Sequence, residues 1–599
     1  MCRIAGIIDK EQDPKQLETD VKAMCNAMKH GGPDGEGFYA DSPAALHFGH
    51  RRLALIDLSP TGHQPMSYND EKFTITFNGE IYNYIELKEE LLAKGLIFST
   101  KSDTEVILAA YQFWGVESFK KFSGMFAFAL YDKFKQVTYL VRDQIGIKPL
   151  YYVTDANRLV FASEVKAFKA NSYKYLENHD WKIYFLAFGH IPHPFTTLQH
   201  VYSLNPGHFL AWDHRERKAA IVSFKKEFKN KTVFDPQEAS NLIAAKFEQA
   251  VQQHLIADAP IGVFLSGGID SGIITMLANK SIKQNLKSVS INFNEQAYSE
   301  ERFQKIIAGH ISGTHHSYQV KEADLAASFN KIVEAMDQPT NDGINSWFVN
   351  KYAQNDGLKA VLSGIGADEL FGGYPSFKRM KLIKNLKYLP RFILRLSAAV
   401  PSEKIKRIYY LSYQNPIGEY LFLRGFYIPQ IIAKVLGKSK KEIDNLFENF
   451  PLDKEINNFE GEERASWLET NLFMRNQLLK DTDFMSMSHG VEVRLPFLDQ
   501  EFIKTMNAID NKQRFQQKSK GMLITAFKDL LPEAIWNRPK MGFSFPLQEW
   551  LLKGGQLADE SRYGNDYSRK LIRKFKSGKM HWSKAFALYQ VSNSIHSHN

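Results

Sequence analysis

Residues 263–271 read Val263-Phe264-Leu265-Ser266-Gly267-Gly268-Ile269-Asp270-Ser271, an apolar strand that passes through a glycine turn into a helix. Backbone N–H groups and the positive end of a helix dipole meet at such a turn and form a cradle for an anion. The loop lacks the Gly-Lys-Ser/Thr ending of the kinase-type phosphate loop. We therefore expect it to hold a pyrophosphate that leaves as a unit, with Asp270 as a magnesium ligand. The alternative is a strand-to-helix turn without a ligand.

A second stretch, residues 361–374, repeats this arrangement of glycines and acids after a short apolar strand. In an open parallel sheet the ligand lies at the carboxyl ends of the strands. The two stretches therefore predict one nucleotide site. Asp270 and Asp368 would share a Mg²⁺ ion there, and Ser363 and Gly364 would contact the adenine through their backbone.

Strands and helices alternate around these two stretches. The sequence predicts helices over residues 238–255, 273–280 and 345–355, and strands over residues 262–265, 287–293 and 359–362. This alternation is typical of a parallel sheet connected by helical crossovers. Beyond about Pro375 the chain is predicted to be mostly helical.

The first two hundred residues are rich in strands instead. Residues 124–131 and 137–141 predict a pair of buried strands, and the strand 73–77 is expected to end at a turn formed by Asn78, Gly79 and Glu80. A helix is predicted after Ser102, with Glu105 completing a capping box. This half is apolar enough for a core of its own.

Cys2 is the strongest catalytic candidate in this half. Removal of Met1 would place a thiol and a free α-amino group on one residue. An α-amine titrates near pH ~8 and can take up the thiol proton, so the nucleophile would carry its own base. The alternative is that a cysteine stands at position two by chance.

Composition argues against several other classes of protein. The 599 residues contain only two cysteines, which argues against a disulfide framework and a structural zinc site. We find no uncharged apolar run of about eighteen residues and no signal pattern, so we expect a cytoplasmic protein without a membrane partner. The net charge is +10, but the lysines are scattered, and we expect no nucleic-acid partner.

Two sets of motifs occur in order along the chain. The front set comprises Met1-Cys2, Gly32-Pro33-Asp34, His50-Arg51-Arg52-Leu53, Gly62-His63-Gln64-Pro65-Met66, Phe77-Asn78-Gly79-Glu80-Ile81-Tyr82-Asn83 and Ser102-Asp103-Thr104-Glu105. The rear set adds His489-Gly490-Val491-Glu492-Val493-Arg494-Leu495-Pro496-Phe497-Leu498-Asp499 and Arg538-Pro539-Lys540-Met541-Gly542-Phe543 to the two glycine loops. From Met1 to about Pro546 the chain resembles the glutamine-hydrolysing asparagine synthetases.

The resemblance implies an α/β multidomain fold. An N-terminal Ntn-hydrolase αββα sandwich would precede a parallel α/β ATP-pyrophosphatase domain with a helical C-terminal extension. We expect a glutaminase domain over residues 1–220, a linker over 221–236, a synthetase domain over 237–510 and the helical extension over 511–599. The resemblance also implies ATP and Mg²⁺ as cofactors, a homodimer and an internal ammonia channel.

In the front domain the resemblance makes Cys2 the nucleophile that attacks the glutamine carboxamide. Asn78 and Gly79 would donate hydrogen bonds to the tetrahedral oxyanion. The expected glutamine-binding residues are Arg52, Asn78, Glu80 and Asp103, with Arg52 on the α-carboxylate and the two acids on the ammonium group. The alternative for Glu80 and Asp103 is turn and helix-cap chemistry.

In the rear domain an acceptor carboxylate would attack the α-phosphate of ATP, and ammonia would then displace AMP. The expected ATP-binding residues are Leu265, Ser266, Gly267, Gly268, Asp270, Ser271, Ile291, Ser363 and Gly364, and the metal ligands are Asp270 and Asp368. Lys540 is expected to neutralise phosphate charge; the alternative is a solvated lysine. Arg494 and Asp499 have no assignable role and could equally form a structural ion pair.

Two positions depart from the family pattern. Gly31 stands where the family has arginine, which is expected to alter packing more than chemistry. Ile365 stands where asparagine synthetases carry a glutamate that manages the protons of ammonia, and an apolar side chain cannot accept a proton. Either Glu369 or a water takes that role, or the acceptor is not aspartate.

Three functions follow from these observations. We rank amidation of aspartate first. The second is amidation of another carboxylate, such as a uronic acid in surface polysaccharide biosynthesis. Residues 336–346 are expected to line the acceptor pocket, and they offer no arginine for the second carboxylate of aspartate. The third is a scaffold that has lost catalysis, against which Cys2 and the two aspartates argue.

Overall fold

The computed structural model describes residues 2–226, 232–515 and 519–596. Met1 and part of the predicted linker, residues 227–231, lie outside the described residues. Within these ranges no helix is both long and apolar enough to cross a membrane.

The first half forms two antiparallel sheets. Its strands are β1 Arg3–Asp9, β2 Gly35–Asp41, β3 Leu46–Arg52, β4 Met66–Tyr68, β5 Phe73–Ile81, β6 Gly124–Asp132, β7 Val137–Arg142, β8 Tyr151–Thr154, β9 Arg158–Ala162, β10 Tyr202–Ser203, β11 His208–Asp213 and β12 Lys218–Ser223. One sheet has the order β10-β8-β9-β1-β3-β2 and the other β12-β11-β7-β6-β5-β4. The predicted pair of buried strands is confirmed as β6 and β7.

The two sheets pack face to face. Ile4 and Phe48 of the first sheet share a buried cluster with Leu140 and Trp212 of the second. Helices cover the outer faces: α1 Pro14–Ala27 lies on the first sheet, and α2 Tyr84–Ala93 and α3 Asp103–Trp114 lie on the second. This arrangement confirms the predicted αββα sandwich. A further helix, α4 Trp181–Phe188, packs against the second half of the chain.

The predicted turn at Asn78, Gly79 and Glu80 is wrong, because β5 continues to Ile81 and these residues pair with β6. An uninterrupted partner strand keeps this segment extended. Gly79 is required there: its φ is +153°, and an added Cβ would lie 2.2 Å from the carbonyl oxygen of Met125.

The predicted helix after Ser102 is confirmed as α3, but the capping box is wrong. The Ser102 side chain accepts from the N–H of Thr104. The Glu105 carboxylate instead accepts from the N–H groups of Ser99 and Thr100, at 2.8 and 2.7 Å. Glu105 therefore anchors the approaching loop rather than the helix start.

The second half contains a five-stranded parallel sheet, as predicted. Its strands are β13 Ile261–Phe264, β14 Lys287–Asn292, β15 Thr314–Gln319, β16 Ala360–Leu362 and β17 Glu492–Arg494, in the order β15-β14-β13-β16-β17. The flanking helices are α5 Pro236–His254, α6 Ile269–Ile282, α7 Glu301–Ala308, α8 Glu322–Ala335 and α9 Ile344–Asn355. The strand order reverses at β13, so the switch point of the sheet lies between β13 and β16.

The remainder is helical, as predicted. It comprises α10 Ala367–Phe371, α11 Pro375–Leu386, α12 Arg391–Leu396, α13 Glu403–Lys406, α14 Ile417–Arg424, α15 Pro429–Leu436, α16 Lys440–Glu448, α17 Gly461–Leu468, a π-helical stretch Glu469–Leu478, α18 Leu479–Met487, α19 Gln500–Ala508, α20 Asn511–Arg514, α21 Gly521–Phe527, α22 Glu533–Trp536, α23 Leu547–Gly554, α24 Asp566–Lys576 and α25 Trp582–His596. Strand β17 returns from this region to the edge of the sheet beside β16.

A buried ionic cluster joins the two halves. Arg3 is fully buried, and its guanidinium lies 2.5 Å from Glu164 and 2.9 Å from Asp483 of the second half. Lys148 lies 3.8 Å from the same Asp483. A Cβ on Gly31 would lie 2.7 Å from the Arg3 side chain. The departure at Gly31 therefore leaves room for a buried arginine that comes from another position.

Candidate active sites

The fold brings the predicted front-site residues together. Cys2 directly precedes β1, and Arg52 ends β3, which pairs with β1. Asn78 and Glu80 lie on β5, and Asp103 begins α3. Segments far apart in the sequence therefore converge on Cys2.

Asn78 is poised beside the cysteine. The backbone nitrogen of Cys2 donates to Asn78 Oδ1 at 3.2 Å, whereas the buried Asn78 Nδ2 has no partner among the described residues. In a chain trimmed of Met1 this backbone nitrogen would be the α-amino group. The fixed oxygen orients the amide, so its free N–H₂ group can serve as a donor to an oxyanion. Burial raises the pKa of the Cys2 thiol, so attack requires a base.

Two buried carboxyl groups lie near the cysteine. Burial raises the pKa of Asp103 to about 6, although its carboxylate accepts from the N–H of Ile81 at 3.0 Å. Burial also raises the pKa of Glu80 well above its ordinary value, opposed by the charge of Arg494. A bound cation would favour the ionised form of both groups.

Arg52 is held by a neighbouring loop. Its guanidinium donates to the carbonyl oxygens of Ser59, at 3.1 Å, and Asp57, at 2.5 Å. Its charge lowers the pKa of the Cys2 thiol, opposing burial. The loop thus fixes a cation beside the nucleophile without consuming it in an ion pair.

The two glycine loops lie side by side at the switch point. A Cβ on Gly364 would lie 2.9 Å from the Cβ of Asp270. In the first loop Ser266 Oγ lies 2.9 Å from Ser271 Oγ and accepts from the N–H of Gly268. Gly267 has a φ of +84°, a conformation that favours glycine. The loop is therefore shaped by its own serine hydroxyls.

Lys520 joins the two predicted metal ligands. Its Nζ lies 2.5 Å from both Asp270 Oδ2 and Asp368 Oδ1, and its side chain is buried. The two carboxylates outweigh burial and raise the pKa of Lys520. Asp270 Oδ1 is buried without a partner among the described residues. Lys520 was not predicted, since Ser519-Lys520-Gly521 matches none of the motifs.

Lys540 approaches the same group from the other side. Its Nζ lies 2.7 Å from Asp368 Oδ1 and 3.2 Å from the carbonyl oxygen of Gly373. Burial would raise the pKa of Asp368, but the charges of Lys520 and Lys540 outweigh it and lower that pKa. Lys540 is therefore exposed to solvent but also paired with Asp368.

Arg538 belongs to the rear motif, but no role was predicted for it from the sequence; in the structure it contacts the first glycine loop. It donates to the carbonyl oxygen of Gly267 at 3.0 Å and to Glu300 at 2.6 Å. It lies two residues before Lys540 in the rear motif. This motif therefore contacts both glycine loops.

Three predicted ATP-binding residues are engaged through their backbone. The carbonyl of Leu265 accepts from the Ser290 hydroxyl, and that of Ile291 accepts from Gln304 at 3.0 Å. The side chains of Leu265 and Ile291 are buried in the core. The N–H of Ser363 donates to the carbonyl of Arg494 at 2.9 Å.

Glu369 lies behind the second loop in a buried pair. Tyr374 Oη donates to Glu369 Oε1 at 2.8 Å. Burial, and then the charge of Asp368, raise the pKa of Glu369 to about 7. Ile365 is half-buried and packs against the core. A carboxyl group that titrates near neutral pH therefore lies four residues after the position where the family carries its glutamate.

Arg494 touches both sites. Its guanidinium lies 2.7 Å from Glu492 and 3.4 Å from Glu80 of the front site, and its carbonyl receives the Ser363 N–H. Asp499 instead caps α19 by accepting from the N–H groups of Glu501 and Phe502. Arg494 and Asp499 therefore have separate partners.

No cluster of three or more histidine, cysteine or acidic side chains capable of holding a metal occurs in the described ranges. Asp270 and Asp368 nevertheless suit a hard cation, since both are carboxylates and one oxygen of Asp270 lacks a partner. Two protein carboxylates together with substrate phosphates are a usual setting for Mg²⁺. The donor set therefore fits the predicted ion.

Comparisons with known proteins match both halves of the chain. The profile of the glutamine amidotransferase domain matches residues 1–224, and that of the asparagine synthase family matches residues 242–570. The chain is 32% identical to asparagine synthetase [glutamine-hydrolyzing] 1 of Bacillus subtilis, over 92% of this chain and 88% of that protein.

Two further relatives are named differently, one as a putative asparagine synthetase and the other as an amidase. A putative asparagine synthetase [glutamine-hydrolyzing] 2 of Methanocaldococcus jannaschii is 33% identical over 69% of this chain and 86% of its own length. Amidase chry2 of Gibberella zeae is 27% identical over 91% of this chain and 87% of its own. The matches confirm the predicted enzyme class, an amidoligase, and the predicted family. The chain therefore belongs to the asparagine synthase family and carries a glutamine amidotransferase domain at its N-terminal end.

Proposed function

We propose that this enzyme couples glutamine hydrolysis at Cys2 to the ATP-dependent amidation of aspartate, through a β-aspartyl-AMP intermediate. The observation that carries the proposal is the pairing of Asp270 and Asp368, which follow two glycine loops and share Lys520 at 2.5 Å each. Family membership and the asparagine synthetase names of the relatives support it.

In the front site the Cys2 thiolate attacks the carboxamide carbon of glutamine. The α-amino group of the trimmed chain takes the thiol proton and passes it to the leaving ammonia. The free Nδ2 of Asn78 and the N–H of Gly79 stabilise the oxyanion. Arg52 binds the α-carboxylate, and Glu80 and Asp103 bind the ammonium group. Water then releases glutamate from the thioester.

In the rear site the β-carboxylate of aspartate attacks the α-phosphorus of ATP, and pyrophosphate leaves. The first glycine loop holds the departing group, and Lys520 and Lys540 balance its charge. Mg²⁺, held by Asp270 and Asp368, would neutralise phosphate oxygens when bound. Ammonia then attacks the acyl carbon and AMP leaves. Glu369, with a pKa of about 7, takes a proton from the attacking nitrogen in place of the missing glutamate.

A uronic acid is the alternative acceptor, and Ile365 favours it. The residue that would receive the protons of ammonia in an asparagine synthetase is apolar here, and residues 336–346 contribute no cationic side chain. One relative of similar length carries the name amidase rather than asparagine synthetase, so the relatives do not all share the name that implies aspartate. The same two sites would then amidate the carboxyl group of the sugar.

We also propose the domain division at residues 1–220, 221–236, 237–510 and 511–599, a homodimer, and a cytoplasmic location. The resemblance to asparagine synthetases supports the division and the dimer. Cys2 and Cys25 are both free, which agrees with a reducing compartment.

The experiment compares wild type with Cys2→Ala in the presence of ATP, Mg²⁺ and aspartate. We expect Cys2→Ala to lose steady-state, aspartate-dependent pyrophosphate release with glutamine beyond the first turnover, because no ammonia is formed to clear the acyl-adenylate, but to keep it with ammonium chloride. If pyrophosphate release does not depend on aspartate but rises with a uronic acid, the acceptor is the uronic acid and not aspartate. An equal response of Cys2→Ala to glutamine would contradict the proposed front site.

A further inference from the structure

A cavity of about 270 Å³ adjoins the rear site. The residues that define it for this purpose are Arg379, Arg407, Arg424, Tyr374, Phe473 and Gln477. We call it the arginine pocket. None of the sequence motifs includes its three arginines.

The arginine pocket carries excess positive charge. Arg424 pairs with Glu469 at 2.5 Å. Arg379 and Arg407 each donate to the carbonyl oxygen of Leu423, at 3.0 and 3.2 Å, and neither forms an ion pair among the described residues. Burial, and then a neighbouring guanidinium, lower the pKa of each. Crowded cations of this kind are stabilised by a bound anion.

Tyr374 separates the arginine pocket from the adenylation site. The guanidinium carbon of Arg424 lies 4.5 Å from the centre of the Tyr374 ring, and Lys540 Nζ lies 5.3 Å from the same point. The two cations are therefore no more than about 10 Å apart. Because Lys540 contacts Asp368, the arginine pocket and the adenylation site lie on the two sides of one tyrosine ring.

The predicted acceptor loop lies close to the cavity, although none of its residues lines it. Asn341 is buried, and both polar atoms of its side chain lack partners among the described residues. A Cβ built on Gly189 would lie 3.2 Å from Asn341 Nδ2 and 2.6 Å from Phe426, which lines the cavity. The side chain of Asn341 is thus an uncommitted amide close to the cavity wall, and the cations come from outside the loop: Arg379 from α11, Arg424 from α14 and Arg407 from the segment that follows α13.

We infer that the arginine pocket binds a second anionic group of the acceptor, a carboxylate or a phosphate, while its reacting carboxylate lies at Lys540. The inference rests on the proposed function and narrows its substrate class to acids with two anionic groups. Guanidinium groups suit both anions because their N–H donors match paired oxygens. The volume lies just below the range of about 300–1,000 Å³ for small-molecule sites, which suits one end of an acceptor.

The first test measures pyrophosphate release with matched acids. Aspartate is compared with β-alanine, which lacks the α-carboxylate, and glucuronic acid 1-phosphate is compared with glucuronic acid. We expect the acid with two anionic groups in at least one pair to be preferred by tenfold or more in kcat/KM. A preference within the aspartate pair would identify the second anionic group as a carboxylate, whereas a preference within the sugar pair would identify it as a phosphate. Equal activity of the members within every active pair would overturn the inference.

The second test changes the pocket. We expect Arg379→Gln and Arg407→Gln to raise the KM of the preferred acid roughly tenfold or more, with kcat within about twofold, because a charged hydrogen bond is lost in binding. Arg391→Gln, on exposed α12 outside the pocket, is the matched control, and thermal unfolding checks that each variant folds. An unchanged KM in both pocket variants, or an equal rise in the control, would overturn the inference.

A third measurement separates this inference from the proposed function. If no acid stimulates pyrophosphate release, the proposed function fails, and the pocket is tested with inorganic phosphate as probe. Phenylglyoxal labelling of Arg379 and Arg407, followed by peptide mass spectrometry, should slow severalfold with phosphate, while labelling of Arg391 should not. If phosphate does not slow the labelling of Arg379 and Arg407, the proposed anion site is wrong.

Discussion

Lys520 shows what a single residue contributes to the rear site. Two carboxylates that follow adjacent loops repel each other unless a cation lies between them. Lys520 supplies that cation before any ligand binds, since its Nζ contacts both. The ATP loops, the metal ligands and Lys540 were all predicted from motifs. Lys520 was not, because its role depends on a tertiary contact that no local pattern records.

We expect Lys520→Met to lower kcat/KM for ATP at least tenfold, since the variant leaves Asp270 without its cation, leaves Asp368 with Lys540 alone and removes the proposed phosphate contact. The measurement is pyrophosphate release at varied ATP. Lys512→Met, an exposed lysine nearby, is the control. Equal kcat/KM in wild type and Lys520→Met would show that Lys520 plays no part in nucleotide binding.

Asp103 gives the front site a pH dependence. Burial raises its pKa to about 6, so the group is neutral below that pH and negatively charged above it. Only the charged form attracts the ammonium group of glutamine. We expect the KM for glutamine to rise as the pH falls through about 6, measured by glutamate release.

The control for this pH dependence is Asp103→Asn. This variant should show a raised KM at every pH and should lose the inflection near pH 6. An inflection that survives in Asp103→Asn belongs to another group, for which Glu80 is the nearest candidate.

At the scale of elements, the sequence predicted the kinds of strands and helices better than their contacts. Apolar runs and glycine turns located β13, β16 and both loops. The end of β5 was missed because Asn-Gly favours a turn locally, whereas pairing with β6 keeps it extended. The hydrogen-bond partners of Glu105 were missed for the same reason: partner choice depends on the folded neighbours.

Gly373 tests how tightly the second loop closes on its aspartate. A Cβ at this position would lie 1.7 Å from Asp368 Oδ1, so the carboxylate would have to move. We expect Gly373→Ala to lower pyrophosphate release at least tenfold. Gly564→Ala, where an added Cβ meets nothing within 4 Å, is the matched control. Similar activities in the two variants would mean that Asp368 tolerates displacement.

At the scale of the molecule, Arg494 connects the two reactions. It touches Glu80 through its guanidinium and the second glycine loop through its carbonyl. The sequence placed Arg494 in a motif but could not assign its partners, because they come from both halves of the chain. Arg494 therefore links the two sites physically, to the nucleotide loop through its backbone and to Glu80 through its side chain.

We expect Arg494→Lys to raise the KM for glutamine several-fold and to increase the glutamine hydrolysed per pyrophosphate released. Lysine keeps the charge but cannot reproduce the planar set of contacts to Glu492 and Glu80. Parallel assays of glutamate and pyrophosphate measure the ratio, and Arg573→Lys on exposed α24 is the control. A ratio equal to that of wild type would remove Arg494 from the coupling.

The ionic cluster around Arg3 has a consequence for any attempt to divide the protein. A fragment that ended near residue 226 would retain Arg3, Lys148 and Glu164 but would lack Asp483, which belongs to the second half. In that fragment Arg3 would keep Glu164 but Lys148 would lose Asp483, and in the complementary fragment Asp483 would lose both cations. Each fragment therefore lacks part of the ionic cluster, and we expect the two fragments to be folded and recovered in higher yield when they are expressed together than when they are expressed separately.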